Sequence, residues 1–295
     1  MRLKDIINIA APHTWAASVM PSILALALSY SRTGSLRVDM GLCLFIIAVC
    51  MQSSVNALND YADFVKGTDT LENSPDASDA VIVYGLAPKT ARNIGIAFLI
   101  AAFIPGLYTV YLRGVVPLVI GLIGAVVIVT YSAGKTPVSY LPLGELVSGF
   151  VMGGLIPLAG VYMQTDELDF TVLVWALPVI IGIGMIMLSN NGSDIEKDLE
   201  VGRHTLPCLL GRERTDRFYR IMLVVWSISP VIILFLFNGP VSALFYILET
   251  LVLLSGIVRQ FSFQLGQKLR GAIMGGITTL NICIGFAYIL AILIV

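Results

Sequence analysis

The sequence predicts an all-α integral membrane protein, with nine transmembrane helices and its N-terminus on the cytoplasmic side. Three observations carry that expectation: an apolar composition, nine apolar runs of membrane-crossing length, and a one-sided distribution of Lys and Arg. Hydrophobic residues make up 57% of the 295 and charged residues only 13%, where a soluble domain carries about 25% charged residues. The net charge of −1 points to no polyanionic partner, and no nucleic acid is expected.

Crossing the hydrocarbon core takes about 20 apolar residues. The first such run, 14–31, lacks the basic front and small-residue cleavage site of a signal peptide, so it reads as a span. Ahead of it, "RLKDIINIAA" places Leu3, Ile6, Ile7 and Ala10 at helical spacing. Two readings stay open there: a short helix lying in the interface, or an ordinary start to the first span. Further spans follow at 40–62, 91–112, 115–134, 143–163, 170–191, 217–237, 241–258 and 271–294. The tight turn Asn238-Gly239-Pro240 divides the seventh from the eighth.

Orientation follows from the cations. With the N-terminus cytoplasmic, that side holds Arg2, Lys4, Lys66, Lys89, Arg92, Lys135, Lys197, Arg203, Arg212, Arg214, Arg217, Arg220, Arg259, Lys268 and Arg270. The far side holds only Arg32, Arg37 and Arg113 of the 18. The cysteines, Cys43, Cys50, Cys208 and Cys283, form no metal or redox spacing and read as small packing residues. His13 and His204 match no metal spacing either.

The chemistry is concentrated at two cytoplasmic helix ends. The second span finishes in "VNALNDYADFVKGTDT". On a helix Asn56, Asn59, Asp60 and Asp63 fall at i, i+3, i+4 and i+7, one face. Asp69 lies past Gly67 and joins that face only if the chain turns back. The sixth span finishes in "SNNGSDIEKD", where Asn190, Asp194 and Asp198 form a second stripe beside Asn191. Acids at a membrane helix end are costly unless a cation meets them. Carboxylate and amide oxygens suit Mg²⁺, which takes one or two carboxylates plus substrate phosphates. Two facing clusters would hold Mg²⁺ around a diphosphate, with Lys66, Lys135, Lys197 and Arg203 as countercharge and Arg212 nearby. Between them, "TYSAGKTPVSYLPLGE" sets Tyr131 and Lys135 at i, i+4 on the same side. On spacing alone these two read as an interfacial tyrosine and a helix-end anchor.

The pair "NDYADFVKGTD" and "NNGSDIEKDLEVGRHTLPCLLGR" resembles the UbiA-type membrane prenyltransferases, in particular the branch acting on 1,4-dihydroxy-2-naphthoate in menaquinone synthesis. The resemblance runs over nearly the whole chain and implies one domain, 1–295, with the spans ringed around a lipid-accessible central cavity. It implies Mg²⁺ as cofactor, and as partners a polyprenyl diphosphate, an aromatic acceptor and the membrane lipid. By position, Asn59, Asp60, Asp63 and Asp69 match the first motif, and Asn190, Asn191, Asp194 and Asp198 the second. Tyr131 and Lys135 match a Tyr-x-x-x-Lys element to which catalysis is assigned. Two departures concern the acceptor: Ala11-Pro12 stands where the family often has Arg-Pro, and Asp76 and Asp79 stand in a loop that often carries Arg. Other acceptors (4-hydroxybenzoate, a futalosine-type ring, a glycerol phospholipid precursor, a porphyrin) therefore stay open. So does a transporter, whose acids would sit at mid-membrane; Glu249, mid-way along the eighth span, is the one candidate of that kind.

Overall fold

The structure, a computed structural model, describes residues 3–67 and 85–294. Asp69, Asp76 and Asp79 lie outside the described residues. All regular elements described are helical: α1 Leu3–Ala10, α2 Ala16–Thr33, α3 Val38–Lys66, α4 Pro88–Arg113 and α5 Val115–Ser132. After these come α6 Gly144–Thr165, α7 Thr171–Trp175, α8 Leu177–Ser193, α9 Ile195–Glu200, α10 Leu206–Leu210, α11 Arg212–Phe237, α12 Pro240–Ser262 and α13 Arg270–Leu293.

Among the described residues seven helices are long and apolar enough to cross a membrane: α3, α4, α5, α6, α11, α12 and the helix reaching Leu293. The bent pair α1–α2, which turns by 62° around residues 11–15, passes the same test of length and composition only when its two helices are taken together. The predicted sixth span, 170–191, is broken. It consists of α7 and the shorter apolar helix α8, joined at Ala176, with Pro178 in the first turn of α8. A proline there costs no helix hydrogen bond, because the first-turn N–H groups have no partner anyway.

Local chemistry sets the ends. Gly34 and Gly67 close α2 and α3 with φ of 67° and 72°, a conformation that disfavours any residue carrying a Cβ. Gly239 (φ 91°) turns the chain so that Pro240 opens α12. The α1–α2 bend uses Ala11 at φ 49°, and it is held from α3. Asn56 donates to Ala10 O (3.0 Å) and Thr14 Oγ1 (2.8 Å), and Trp15 Nε1 donates to Ser53 Oγ (3.1 Å). Residues Leu3–Ala10 form a helix of their own, set off from α2 by this bend. It buries Asp5, Ile9 and Ala10 and leaves Leu3 and Ile7 outward.

Helix α3 packs along α4 and α5; α8 packs along α6, α11 and α13; α13 returns to α2, which lies on α3 and α6. The shared core includes Leu24, Leu28, Met185, Leu223, Trp226 and Ile277. Close approach of α6 to α8 depends on Gly149 and Gly153 within a π-helical stretch, Gly149–Leu155. A Cβ on either would come within 2.6 Å of Ile180 backbone. The Gly-x-x-x-Gly spacing thus lets two backbones touch where lipid offers no hydrophobic drive for association. Outward faces stay apolar, as at Ile104, Tyr111, Leu236 and Val252, in keeping with lipid contact.

Candidate active site

The helices enclose one large cavity of about 890 Å³. Its mouth is polar, lined by Asn59, Asp60, Asp63, Asp194, Asp198 and Arg203. Its walls are apolar, from Leu44, Ala48 and Met51 on α3 to Val110 on α4 and Met163 on α6. At 1.5 Å per residue, the α3 wall from Asp63 back to Leu44 is about 28 Å long, close to the full hydrocarbon thickness. Phe103, Leu107 and Leu122 border the cavity while remaining exposed, so it opens sideways on the α4–α5 side.

The two acidic stripes meet at the mouth. Because α3 stays helical to Lys66, Asn56, Asn59, Asp60 and Asp63 all reach the cavity wall. Asn59 Nδ2 donates to Asp63 Oδ2 (2.8 Å), and Ser132 Oγ at the end of α5 donates to Asn59 Oδ1 (2.9 Å). The second stripe continues through the kink at Asp194, where Asp198 N donates to Asp194 O (2.8 Å). Arg203 joins the stripes, ion-paired with Asp63 and standing 3.6 Å from Asp198. Arg270, the first residue of α13, pairs with Asp194 (3.0 Å) and donates to Asn190 Oδ1 (2.7 Å).

Burial raises Asp198 from 3.8 to about 7, against the attraction of Arg203. The negative charges of Asp194 and Asp63 add to the rise. Arg203 itself loses hydration, yet the carboxylates of Asp63 and Asp198 hold it protonated above its ordinary range.

The remaining cations and aromatics are sorted by the same geometry. Lys197 lines the cavity. Lys66 turns outward from it, donating to Ser132 O (2.8 Å) and lying 4.9 Å from the Tyr140 ring centre. Arg203 lies 5.0 Å from that centre, and His204 N donates to Tyr140 O (2.9 Å). The Tyr140 ring thus steadies two cations at once. Tyr131 lines the cavity, its hydroxyl accepting from Ser148 Oγ (3.4 Å).

Lys135 is a correction. Helix α5 ends at Ser132, and Gly134 (φ 96°) turns the chain away. Lys135 therefore does not stand one turn beyond Tyr131, and it is exposed and outside the cavity lining. Arg212 pairs with Glu196 away from the mouth, and Glu249 does not border the cavity.

Sequence reasoning left two residues without a role. Arg270 counted only as one cytoplasmic cation among many. Glu145, buried on α6, accepts from Asn191 Nδ2 (2.9 Å) and so ties the second stripe to α6. Its one visible signal was a carboxylate at the start of an apolar span.

The donor set fits Mg²⁺ in kind, since it consists of carboxylate and amide oxygens with no sulfur or imidazole. Asp198 Oδ2 is buried with no hydrogen-bond partner, an acceptor that a cation would satisfy. Among the described residues no three acidic, His or Cys side chains are grouped closely enough to hold a metal together. The acids are spread around two arginines instead.

Known proteins similar to this chain come from one family. Residues 18–272 match the UbiA prenyltransferase family. Over 208 residues the chain is 35% identical to a 1,4-dihydroxy-2-naphthoate octaprenyltransferase of Bacillus subtilis (strain 168), covering 70% of this chain and 66%, just under two thirds, of that relative. It is 26% identical to a UbiA prenyltransferase domain-containing protein 1 homolog of Drosophila melanogaster, over 99% of this chain and 80% of that one. The fold is similar to that of a UbiA homolog from Archaeoglobus fulgidus bound to GPP and Mg²⁺, with a TM-score of 0.66 and 18% identity over 97% of this chain and 99% of that chain.

Proposed function

This chain belongs to the UbiA prenyltransferase family, and from that premise we propose that it transfers a polyprenyl group from polyprenyl diphosphate to 1,4-dihydroxy-2-naphthoate, in menaquinone synthesis and with Mg²⁺. One observation carries the reading: two acidic stripes from distant parts of the chain converge, through Arg203, at the mouth of a long apolar cavity. A diphosphate headgroup with an oily tail needs both features. The relative from Bacillus subtilis bears the name of this acceptor, and the homolog from Archaeoglobus fulgidus was solved with a prenyl diphosphate and Mg²⁺. The length of the α3 wall favours a long donor.

In this reading all 295 residues form one nine-span domain in the cell membrane, with the cavity mouth facing the cytoplasm, where the cations cluster. Asn59, Asp60, Asp63, Asn190, Asp194 and Asp198 would hold Mg²⁺, with Asn191 beside them and Asp69 assigned by motif alone. When bound, the metal supplies positive charge against the departing diphosphate.

Arg203, Arg270 and Lys197 bind phosphate oxygens through charge-assisted hydrogen bonds. Leu44, Ala48, Met51 and their neighbours hold the tail straight and keep water from the reacting carbon. The allylic C1–O bond breaks, its electron pair leaving with the diphosphate. Tyr131, bordering the cavity near the mouth, offers its ring face to the developing cation. The ring carbon of the acceptor bearing the carboxylate then bonds to C1. Loss of CO₂ returns the electron pair to the ring and restores aromaticity.

The test uses the protein in lipid vesicles with labelled polyprenyl diphosphate and a panel of acceptors. The expected result is turnover with 1,4-dihydroxy-2-naphthoate, lost in EDTA and restored by added Mg²⁺. Turnover only with 4-hydroxybenzoate, a futalosine-type ring, a glycerol phospholipid precursor or a porphyrin would replace the acceptor. Indifference to EDTA would overturn the metal assignment.

A further inference from the structure

We propose that Arg270, together with Arg203, is an exchangeable counterion: it holds the acidic stripe in the ligand-free protein and moves to the diphosphate oxygens when the cation–diphosphate complex enters. This rests on the diphosphate-clamp reading above and extends it to a donor-binding residue that lies in neither acidic motif.

The argument begins with position. Arg270 opens the last helix, and Gly271, Met274, Gly275 and Thr278, on one face of that helix, line the cavity. Its guanidinium therefore stands at the mouth, 23% exposed, within reach of an entering headgroup. Its present partners matter more. It contacts Asp194 Oδ2 and Asn190 Oδ1, while Arg203 contacts Asp63 and Asp198. The two arginines thus engage oxygens that a hard cation needs, on both stripes.

A small dication cannot take those oxygens while a guanidinium stays against them, because the two positive charges repel at close range in a poorly hydrated site. An arginine pushed off its carboxylate needs another anion within reach. The diphosphate arriving with the cation is that anion, and the planar fork of arginine suits its oxygens. The starting arrangement is also incomplete, since Asp198 Oδ2 and Arg203 Nε are buried without hydrogen-bond partners. A purely structural tether between α13 and α8 would behave otherwise: its loss would leave cation binding unchanged or weaken it.

The two roles separate in a binding measurement that needs no turnover. Mn²⁺ binding to the purified full-length protein is followed by electron paramagnetic resonance, with and without inorganic pyrophosphate. Arg270→Gln should bind Mn²⁺ alone about tenfold more tightly than wild type, and Mn²⁺ with pyrophosphate about tenfold more weakly, the worth of one hydrogen bond to a charged group. Both affinities moving in the same direction, or neither moving, would overturn the proposal.

Should Arg270→Gln fail to fold in a thermal scan, Arg270→Lys serves, because it keeps the charge and loses the fork. It should hold wild-type affinity for Mn²⁺ alone and bind the pyrophosphate complex more weakly, and wild-type values for both would count against the exchange. Failure of the wild type to bind Mn²⁺ with pyrophosphate would instead remove the clamp reading, and this inference with it.

Discussion

Asp198 shows what the site asks of single residues. Burial raises its carboxyl to about 7, so it takes up a proton as pH falls through neutrality. A bound dication needs the carboxylate, so binding releases that proton. Apparent Mg²⁺ affinity should therefore drop as pH falls below about 7 and level off above it, a trend that titrating activity against Mg²⁺ at several pH values will check. The sign for stability is the reverse. The folded value lies above the ordinary 3.8, so this group favours the metal-free fold below about pH 4, and that contribution is lost as pH rises towards 7. Thermal scans in EDTA at pH 5 and 8 should show the lower pH favoured by this group, and the order should flip with added Mg²⁺ and pyrophosphate. At this scale the acids were legible, because Asn and Asp at i, i+3, i+4 and i+7 need only a continuous helix to share a face, and α3 continues to Lys66. Lys135 failed the same logic because α5 stops three residues earlier, at Ser132. Arg270 was not legible, since its meaning comes from Asp194 and Asn190, some 80 positions away in the chain.

Among the elements, the α6–α8 contact is the most sensitive to substitution. Gly153 faces Ile180 so closely that a Cβ would fall 2.6 Å from its Cα, backbone that cannot move aside as a side chain would. Gly153→Val should destabilise the protein by about 1–3 kcal/mol, the usual cost of overpacking, and lower the unfolding temperature in detergent. Because Glu145 at the start of α6 holds Asn191 on α8, the displacement should also weaken binding of Mn²⁺ with pyrophosphate. An unchanged melting temperature would show that the two helices are not seated on each other as described. The spans were readable one by one, since length and hydropathy are local properties. The π-helical turn in α6 was not, because it lies where α6 and α8 press together. The short first helix was readable only as one of two options. Its choice depends on Asn56 and Ser53 of α3 gripping residues 10–15.

For the molecule as a whole, the cavity joins a charged mouth to a wall as long as the membrane is thick. Ala48 lies on that wall, buried and well below the acids. Ala48→Phe should shorten the space for the tail, so that a long-chain donor loses its advantage over geranyl diphosphate in direct competition while Mn²⁺–pyrophosphate binding stays as in wild type. The cavity could be expected only through the family resemblance; composition and periodicity do not say which helix faces turn inward. Convergence of the two stripes was foreshadowed by their shared membrane level, and Arg203 by its place beside the second motif, but not Arg270. The central claim is that both stripes serve one prenyl-transfer site. Its most direct test compares wild type with Asp63→Ala and Asp194→Ala, each shown to be folded in vesicles, using labelled polyprenyl diphosphate and 1,4-dihydroxy-2-naphthoate, with the product identified by mass. The account predicts a prenylated, decarboxylated naphthoquinol from wild type and none from either variant. Undiminished product from either variant, or no product of that mass from wild type, would contradict it.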